Sequence, residues 1–167
     1  MKTSAAEFHQ WSALPESTKG FTIDQTRLMT ESLFRLSGQN IIHNWRRLSP
    51  VGLAEKAFEM RRVLVSHGTE SDPILNYGNY EALKLWQLSW EELTKMPSRK
   101  TAEPDQREER ARFLAEVEKK GFVDDYSGVR ISSRGDRFRI KNALVWRLED
   151  ETGPKGMAAM FDDIEYL

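Results

Sequence analysis

The stretch SHGTESDPILNYGN, residues 66–79, sets an Asp-Pro pair between two short β-prone runs and finishes on an asparagine. Asp72-Pro73 favours a chain reversal, because proline presets φ and aspartate accepts hydrogen bonds from the backbone ahead of it. The flanking runs VLVSHG and ILNY therefore read as two strands of a hairpin. Asn79 is a good N-cap, so NYEALKLW reads as a helical turn or two, and SWEELTKMP follows with a capping pattern of its own. Ser89 lies three residues before Glu92, and Pro97 closes the segment.

Downstream, PDQREERARFLAEVEKKG is the clearest helix, with Pro104 and Asp105 at its start and Phe113, Leu114 and Val117 on its apolar side. Lys119, Lys120 and Gly121 end it. The last third reads as three antiparallel strands: FVDDYSGVRISS, RFRIKNALVWRLED and GPKGMAAMF, joined at SRGD and DETG. A tight hairpin centred on Arg134-Gly135 pairs Ile131 with Phe138, Val129 with Ile140 and Val123 with Trp146. That register gives one face Val123, Val129, Ile131, Phe138, Ile140, Leu144 and Trp146, interrupted by Asp125, Ser127 and Asn142. The opposite face carries Asp124, Tyr126, Arg130, Arg137, Arg139 and Arg147. A bulge at Gly128 would alter the register locally.

Upstream, residues 1–23 are broken by Pro15 and Gly20 and are expected to be irregular. Residues 24–61 read as N-terminal helices. Asp24 is the expected cap of the first, Leu28, Met29, Leu33, Leu36, Ile41 and Trp45 form its apolar side, and Gly38 is a break point. Ser49 and Pro50 begin another. Residues 62–167 form the remaining domain.

Composition narrows the function. The 167 residues hold 25 Lys plus Arg against 26 Asp plus Glu, a formal net charge of −1, so no general electrostatic grip on nucleic acid is expected. There is no cysteine, which removes disulfides, thiolate metal sites, cysteine nucleophiles and the covalent flavin–cysteinyl adduct. The first 20 residues lack the apolar core of a secretory signal, and no run approaches a membrane span of about 18 residues, so a cytoplasmic location is expected.

The order of two short strands, small helices, a longer helix and three long strands resembles that of PAS domains. The chain more closely resembles the PAS-related MEKHLA family in its free-standing bacterial type. Ser66-His67-Gly68, Asp72-Pro73, Tyr77, Asn79, Trp90, PSR 97–99, Ala102-Glu103, REERA 107–111, YSGVRISS 126–133, Phe138 and Trp146 carry the resemblance. It implies an α+β fold, a PAS-like five-stranded antiparallel sheet with helices over one face plus the N-terminal helical extension. It also implies a cavity between that face and the helices. The homeodomain and zipper of the family's plant members are absent here, so a DNA-binding role does not transfer. Some PAS domains hold heme through a histidine on the long helix, and residues 105–120 contain none.

A candidate pocket follows from these expectations: His67, Tyr77, Trp86, Trp90, Ser127, Asn142 and Trp146, the polar members answering the interruptions of the inner face. Arg99, Arg107 and Arg110, beside Glu103, form a candidate anion clamp, since guanidinium forks take carboxylate or phosphate in a bidentate way. The bland alternative is a salt-bridged helix start. No catalytic residue is assigned: adjacent Ser66 and His67 point to opposite faces of a strand and make no dyad. No His-x-x-x-His spacing suggests a metal. Three readings follow in order: a PAS-like sensory or ligand-binding domain acting through partner or self association, an interaction or dimerisation module with a filled core, and a small enzyme using Asp125, His67 or an arginine pair. Homodimerisation through the N-terminal helices is expected, with folding back on the chain's own sheet as the alternative.

Overall fold

Strands β1 (Val63–His67) and β2 (Leu75–Gly78) pair antiparallel across the Asp72-Pro73 turn, with Ser66 opposite Tyr77. The structure, a computed structural model, describes residues 10–167, and the part of the expected irregular segment in residues 1–9 lies outside the described residues. Helix α3 (Tyr80–Trp86) begins directly after Asn79, which is fully buried. Its Oδ1 accepts from the backbone N–H of Leu64 (3.0 Å) and of Ala82 (3.1 Å). Its Nδ2 donates to the carbonyls of Ala57 (3.1 Å) and Arg62 (2.7 Å). One amide thereby caps α3, satisfies β1 and ties down helix α2 (Pro50–Glu59), itself capped by Ser49. Helix α4 (Trp90–Leu93) has the expected Ser89–Glu92 capping box.

Helix α5 (Arg107–Lys120) ends at Gly121, φ 95°, and leads into β3 (Phe122–Ile131), β4 (Arg137–Asp150), β5 (Gly153–Phe161) and β6 (Asp163–Tyr166). The antiparallel sheet runs in the order β2-β1-β5-β4-β3. The expected α+β class holds, with six strands among the described residues in place of five. The sixth continues the line of β5 along β4 and pairs Ile164 with Ile140.

The register differs from the tight hairpin. Ile131 pairs with Arg137 across a loop, 132–136, in which Ser132 Oγ accepts from the N–H groups of Arg134 and Asp136. Arg130, not Ile131, therefore stands opposite Phe138, and Ile131 and Phe138 lie on opposite faces. A second slip occurs further along. Gly128 faces Ile140 but Tyr126 faces Ala143, because Asn142 adopts a left-handed backbone, φ 52°, and bulges β4. The bulge sits at Asn142, not at Gly128.

Beyond it the faces exchange. Phe138, Ile140, Ala143 and Val145 join Val65, Leu75, Met157 and Phe161 in one cluster with α3 and α5, whereas Leu144, Trp146 and Leu148 join Leu64, Tyr77 and Met160 in another beneath the N-terminal helix, α1 (Glu16–Ser37). Trp146 and Leu144 are thus core residues of the second face. Asp125, Ser127 and Asn142 are exposed and do not interrupt an inner face.

Helix α1 (Glu16–Ser37) begins inside the segment expected to be irregular, with Pro15 at its N-cap position, so Asp24 lies within the helix and does not cap it. Gly38, φ 73°, ends it, and only a short 3-10 turn at Trp45–Arg47 follows, so Ile41 and Trp45 do not extend its apolar side. The helix folds back on its own sheet along a seam that is half polar. Trp11 Nε1 donates to Thr22 (2.8 Å), Gln25 Nε2 to Ser66 Oγ (3.0 Å) and Trp146 Nε1 to the Met29 carbonyl (3.1 Å). Ser32 exchanges hydrogen bonds with the backbone of Glu149. A face built from Thr22, Gln25, Thr26, Met29, Ser32 and Leu33 has correct helical spacing but a weak hydropathy signal.

Asn79→Ala should destabilise the fold by about 3 kcal/mol or more in urea unfolding, because it deletes a helix cap and leaves buried backbone groups unpaired. Asn79→Asp should not rescue it, since a carboxylate would face the two carbonyls that the amide N–H groups now satisfy. A loss below about 1 kcal/mol would show that those groups find other partners.

Candidate functional site

A cavity of about 70 Å³ lies between the inner sheet face and the helices. Its apolar wall comes from alternate positions of β1, β4 and β5: Val65, Ile140, Val145, Met157 and Phe161, with Leu75 of β2. The helices contribute Trp86 from α3 and Arg110, Phe113 and Leu114 from α5. Since α5 presents residues one turn apart, Arg110, Phe113 and Leu114 arrive on one side of the helix.

Strand β3 adds Tyr126 and Arg130. These share a face with Gly128 between them, and Tyr126 lies across the glycine to accept from the Arg130 guanidinium. A Cβ at Gly128 would stand 2.2 Å from the Tyr126 oxygen, so this arrangement requires glycine. Phe113 stacks on the Tyr126 ring at 3.9 Å with an interplanar angle of 24°. Arg130 is buried, donates to the Val129 carbonyl (2.9 Å) and lies 5.3 Å from the Tyr126 ring centre. Arg110 sits beside it. Burial, and next the Arg130 charge, lower the Arg110 guanidinium to about 10. Among the described residues no carboxylate forms an ion pair with Arg110 or Arg130.

His67 closes the end of β1. Its Nδ1 lies 2.9 Å from the Gly68 carbonyl, which can only accept, so the proton sits on Nδ1 and Nε2 carries a lone pair. Burial holds the imidazole below its ordinary value; the Gly68 bond opposes this and the Arg110 charge assists it. His67 Nε2 and Trp86 Nε1 are both buried without a hydrogen-bond partner among the described residues. Gly156, φ 118°, packs against this corner, where a Cβ would come within 1.9 Å of the His67 carbonyl oxygen.

Of the pocket residues expected from sequence, His67 and Trp86 line the cavity. Tyr77 and Trp146 belong to the second face beneath α1. Trp90 stands edge-on to Tyr77 (5.7 Å) and to Phe21 (6.4 Å). Ser127 donates to the Ile140 carbonyl and Asn142 to Asp163, both at the surface. The three clamp arginines are separated: Arg99 pairs with Asp72 at 3.1 Å, Arg107 donates to the Ala102 carbonyl, and only Arg110 reaches the cavity. Glu103 pairs with Arg137. The sequence reading missed Tyr126 and Arg130, although the alternation Tyr126-x-Gly128-x-Arg130 marks one strand face with a space left for a ring. Among the described residues no group of His, Asp and Glu is placed to hold a metal, and no helix is long and apolar enough to cross a membrane.

An antiparallel sheet with α3, α4 and α5 over one face and a cavity beneath them is the architecture of a PAS-like domain. The PAS domain of a protein from Colwellia psychrerythraea matches with a TM-score of 0.55 at 18% identity, covering 65% of this chain and 91% of that one. The fungal blue-light photoreceptor Vivid, in its light-state dimer, matches with a TM-score of 0.51 at 14% identity, covering 62% and 78%. At such identities the likeness defines the fold alone. The chain belongs to the MEKHLA domain family, whose profile matches residues 23–166. Among curated proteins none matches the sequence.

The buried His67 gives a pH signature. Below about 6.5 the imidazole of the unfolded chain takes up a proton, while that of the folded protein resists. The unfolded state then binds more protons, so stability falls as pH drops. Tm should decline between pH 7 and pH 5, and His67→Gln should flatten part of that slope. An unchanged slope would assign the titration elsewhere.

Proposed function

We propose that this chain is a cytoplasmic sensory domain that binds a small molecule in the cavity and signals by association with itself or with a partner protein. The observation that carries the reading is the composition of the cavity wall. A space kept only for packing is lined by apolar side chains, whereas this one holds two guanidinium groups and the side chains of His67 and Trp86, each with an unpartnered nitrogen. The volume suits a ligand of a few heavy atoms. Pockets for drug-sized ligands span about 300–1,000 Å³, so a flavin or heme does not fit the space as it stands.

A route outward runs through β1. His67 lines the cavity on one face, and its neighbour Ser66 accepts from Gln25 of α1 on the other. A ligand that shifts β1 would alter the docking of α1, the element whose packing on its own sheet leaves Phe21 exposed. Such a signal requires two arrangements of α1 with different ligand affinity.

A native mass spectrum of freshly purified protein should show a retained small molecule, and light scattering should report a different mass for loaded and emptied protein. Gln25→Leu should leave ligand retention intact while abolishing that difference. A protein that retains nothing and whose association is unaffected by Gln25→Leu would be an interaction module with a filled core.

A further inference from the structure

We propose that the cavity takes a small carboxylate, its headgroup held between Arg110 and Arg130 and its apolar body against the wall formed by Ile140, Val145, Met157 and Phe161. This deepens, and rests on, the sensory reading above.

Two like charges placed side by side under partial burial are unfavourable unless an anion joins them. Protein carboxylates do not fill that role here. Asp72 and Glu103 are engaged with Arg99 and Arg137 outside the cavity. Glu70 and Glu118 act on His67 after burial, the Gly68 bond and the Arg110 charge, and among the described residues neither forms an ion pair with either cavity arginine. The oxygens offered to Arg130 are the Val129 carbonyl and the Tyr126 phenol, neither of them a carboxylate. Arg110 makes no hydrogen bond or ion pair with any described residue, so its full fork is available, and a planar fork matches a carboxylate in two parallel hydrogen bonds. Arg110 is then the principal clamp, and Arg130, already oriented by Tyr126, supplies the second charge.

The remainder of the wall selects against a bare inorganic anion. Beyond the arginines, and apart from Ser66, His67 and Thr101, it is aliphatic and aromatic, so an anion without an apolar body would leave most of that surface unfilled. An engineered apolar cavity of about 150 Å³ accepts benzene. A volume of about 70 Å³, less than half of that, therefore points to acids of a few carbons, with a single aromatic ring larger than the space as it stands.

The test uses the full chain with butyrate and benzoate, their uncharged amides butyramide and benzamide, and inorganic phosphate, followed by calorimetry and tryptophan fluorescence. At least one acid should bind with roughly tenfold or greater preference over its amide, the value expected for a partly buried charge-assisted pair. Arg110→Gln should reduce acid affinity by a similar factor and leave the amide unaffected, and Arg110→Lys should recover part of the loss. The comparison of acid with amide needs no variant, so it stands even if Arg110→Gln fails to fold. Amides binding as well as acids, or Arg110→Gln leaving acid affinity unchanged, would overturn the carboxylate assignment while the sensory reading survives as sensing of neutral molecules. Phosphate binding more tightly than either acid would overturn it in favour of a phosphate site. Failure of every probe to bind would overturn it too, and the native mass spectrum described above would then decide the sensory reading separately.

Discussion

At Asn142 the longest strand of the sheet takes up a left-handed backbone, φ 52°, and the consequences spread through the molecule. Asparagine tolerates this conformation better than most residues. Because side chains alternate along a strand, one inserted residue moves everything beyond it to the other face. Phe138 and Ile140 before the bulge, and Ala143 and Val145 after it, therefore face α3 and α5, while Leu144, Trp146 and Leu148 turn toward α1. A single strand supplies two cores. Without the bulge, Trp146 would project into the cavity side, and the bond from its Nε1 to the Met29 carbonyl that anchors α1 would not exist.

This constraint also explains what could be read from the sequence. The Asp72-Pro73 hairpin, the caps at Ser49, Asn79 and Ser89, and helix α5 with its stop at Gly121 are local features, and local chemistry revealed them. The family resemblance supplied the sheet. Register was another matter. A loop of a different length at 132–136 and a bulge at Asn142 each change a face assignment by one residue, and neither carries a signal as strong as a glycine or proline. Candidate site residues inherited both errors. Tyr126 and Arg130 were placed outside although they line the cavity, while Asn142 and Trp146 were placed inside although they do not; Tyr77, on β2, lies on the second face independently of either error. His67, Trp86 and Arg110 escaped: α3 and α5 are helices, and β1 shifts against β2 between Ser66 and His67 but pairs with β5 in unbroken register.

The two faces differ in how they are closed. Beneath α1, polar side chains meet specific partners: Gln25 with Ser66, Ser32 with the Glu149 backbone, Thr22 with Trp11. Directional bonds fix one position of a helix more sharply than apolar contact of the same extent, which tolerates small slides. On the cavity side two cations share one space, and among the described residues the buried nitrogen atoms of His67 and Trp86 lack partners, as do Thr26 Oγ1 and Tyr77 Oη beneath α1. The two faces differ in charge, with β1 between them.

The edges of the sheet carry a further consequence. Strand β2 has its free side occupied by the segment after α4, where the Leu75 N–H donates to the Met96 carbonyl and the Ser98 N–H to that of Pro73. Among the described residues strand β3 pairs with β4 alone, and it bears the exposed carboxylates of Asp124 and Asp125 at a break in register. Adjacent negative charges and an irregular backbone make a poor template for another strand. Copies of the chain crowded together are thus discouraged from joining edge to edge into a growing ribbon, and resistance to aggregation is built into the same strand that carries Tyr126 and Arg130.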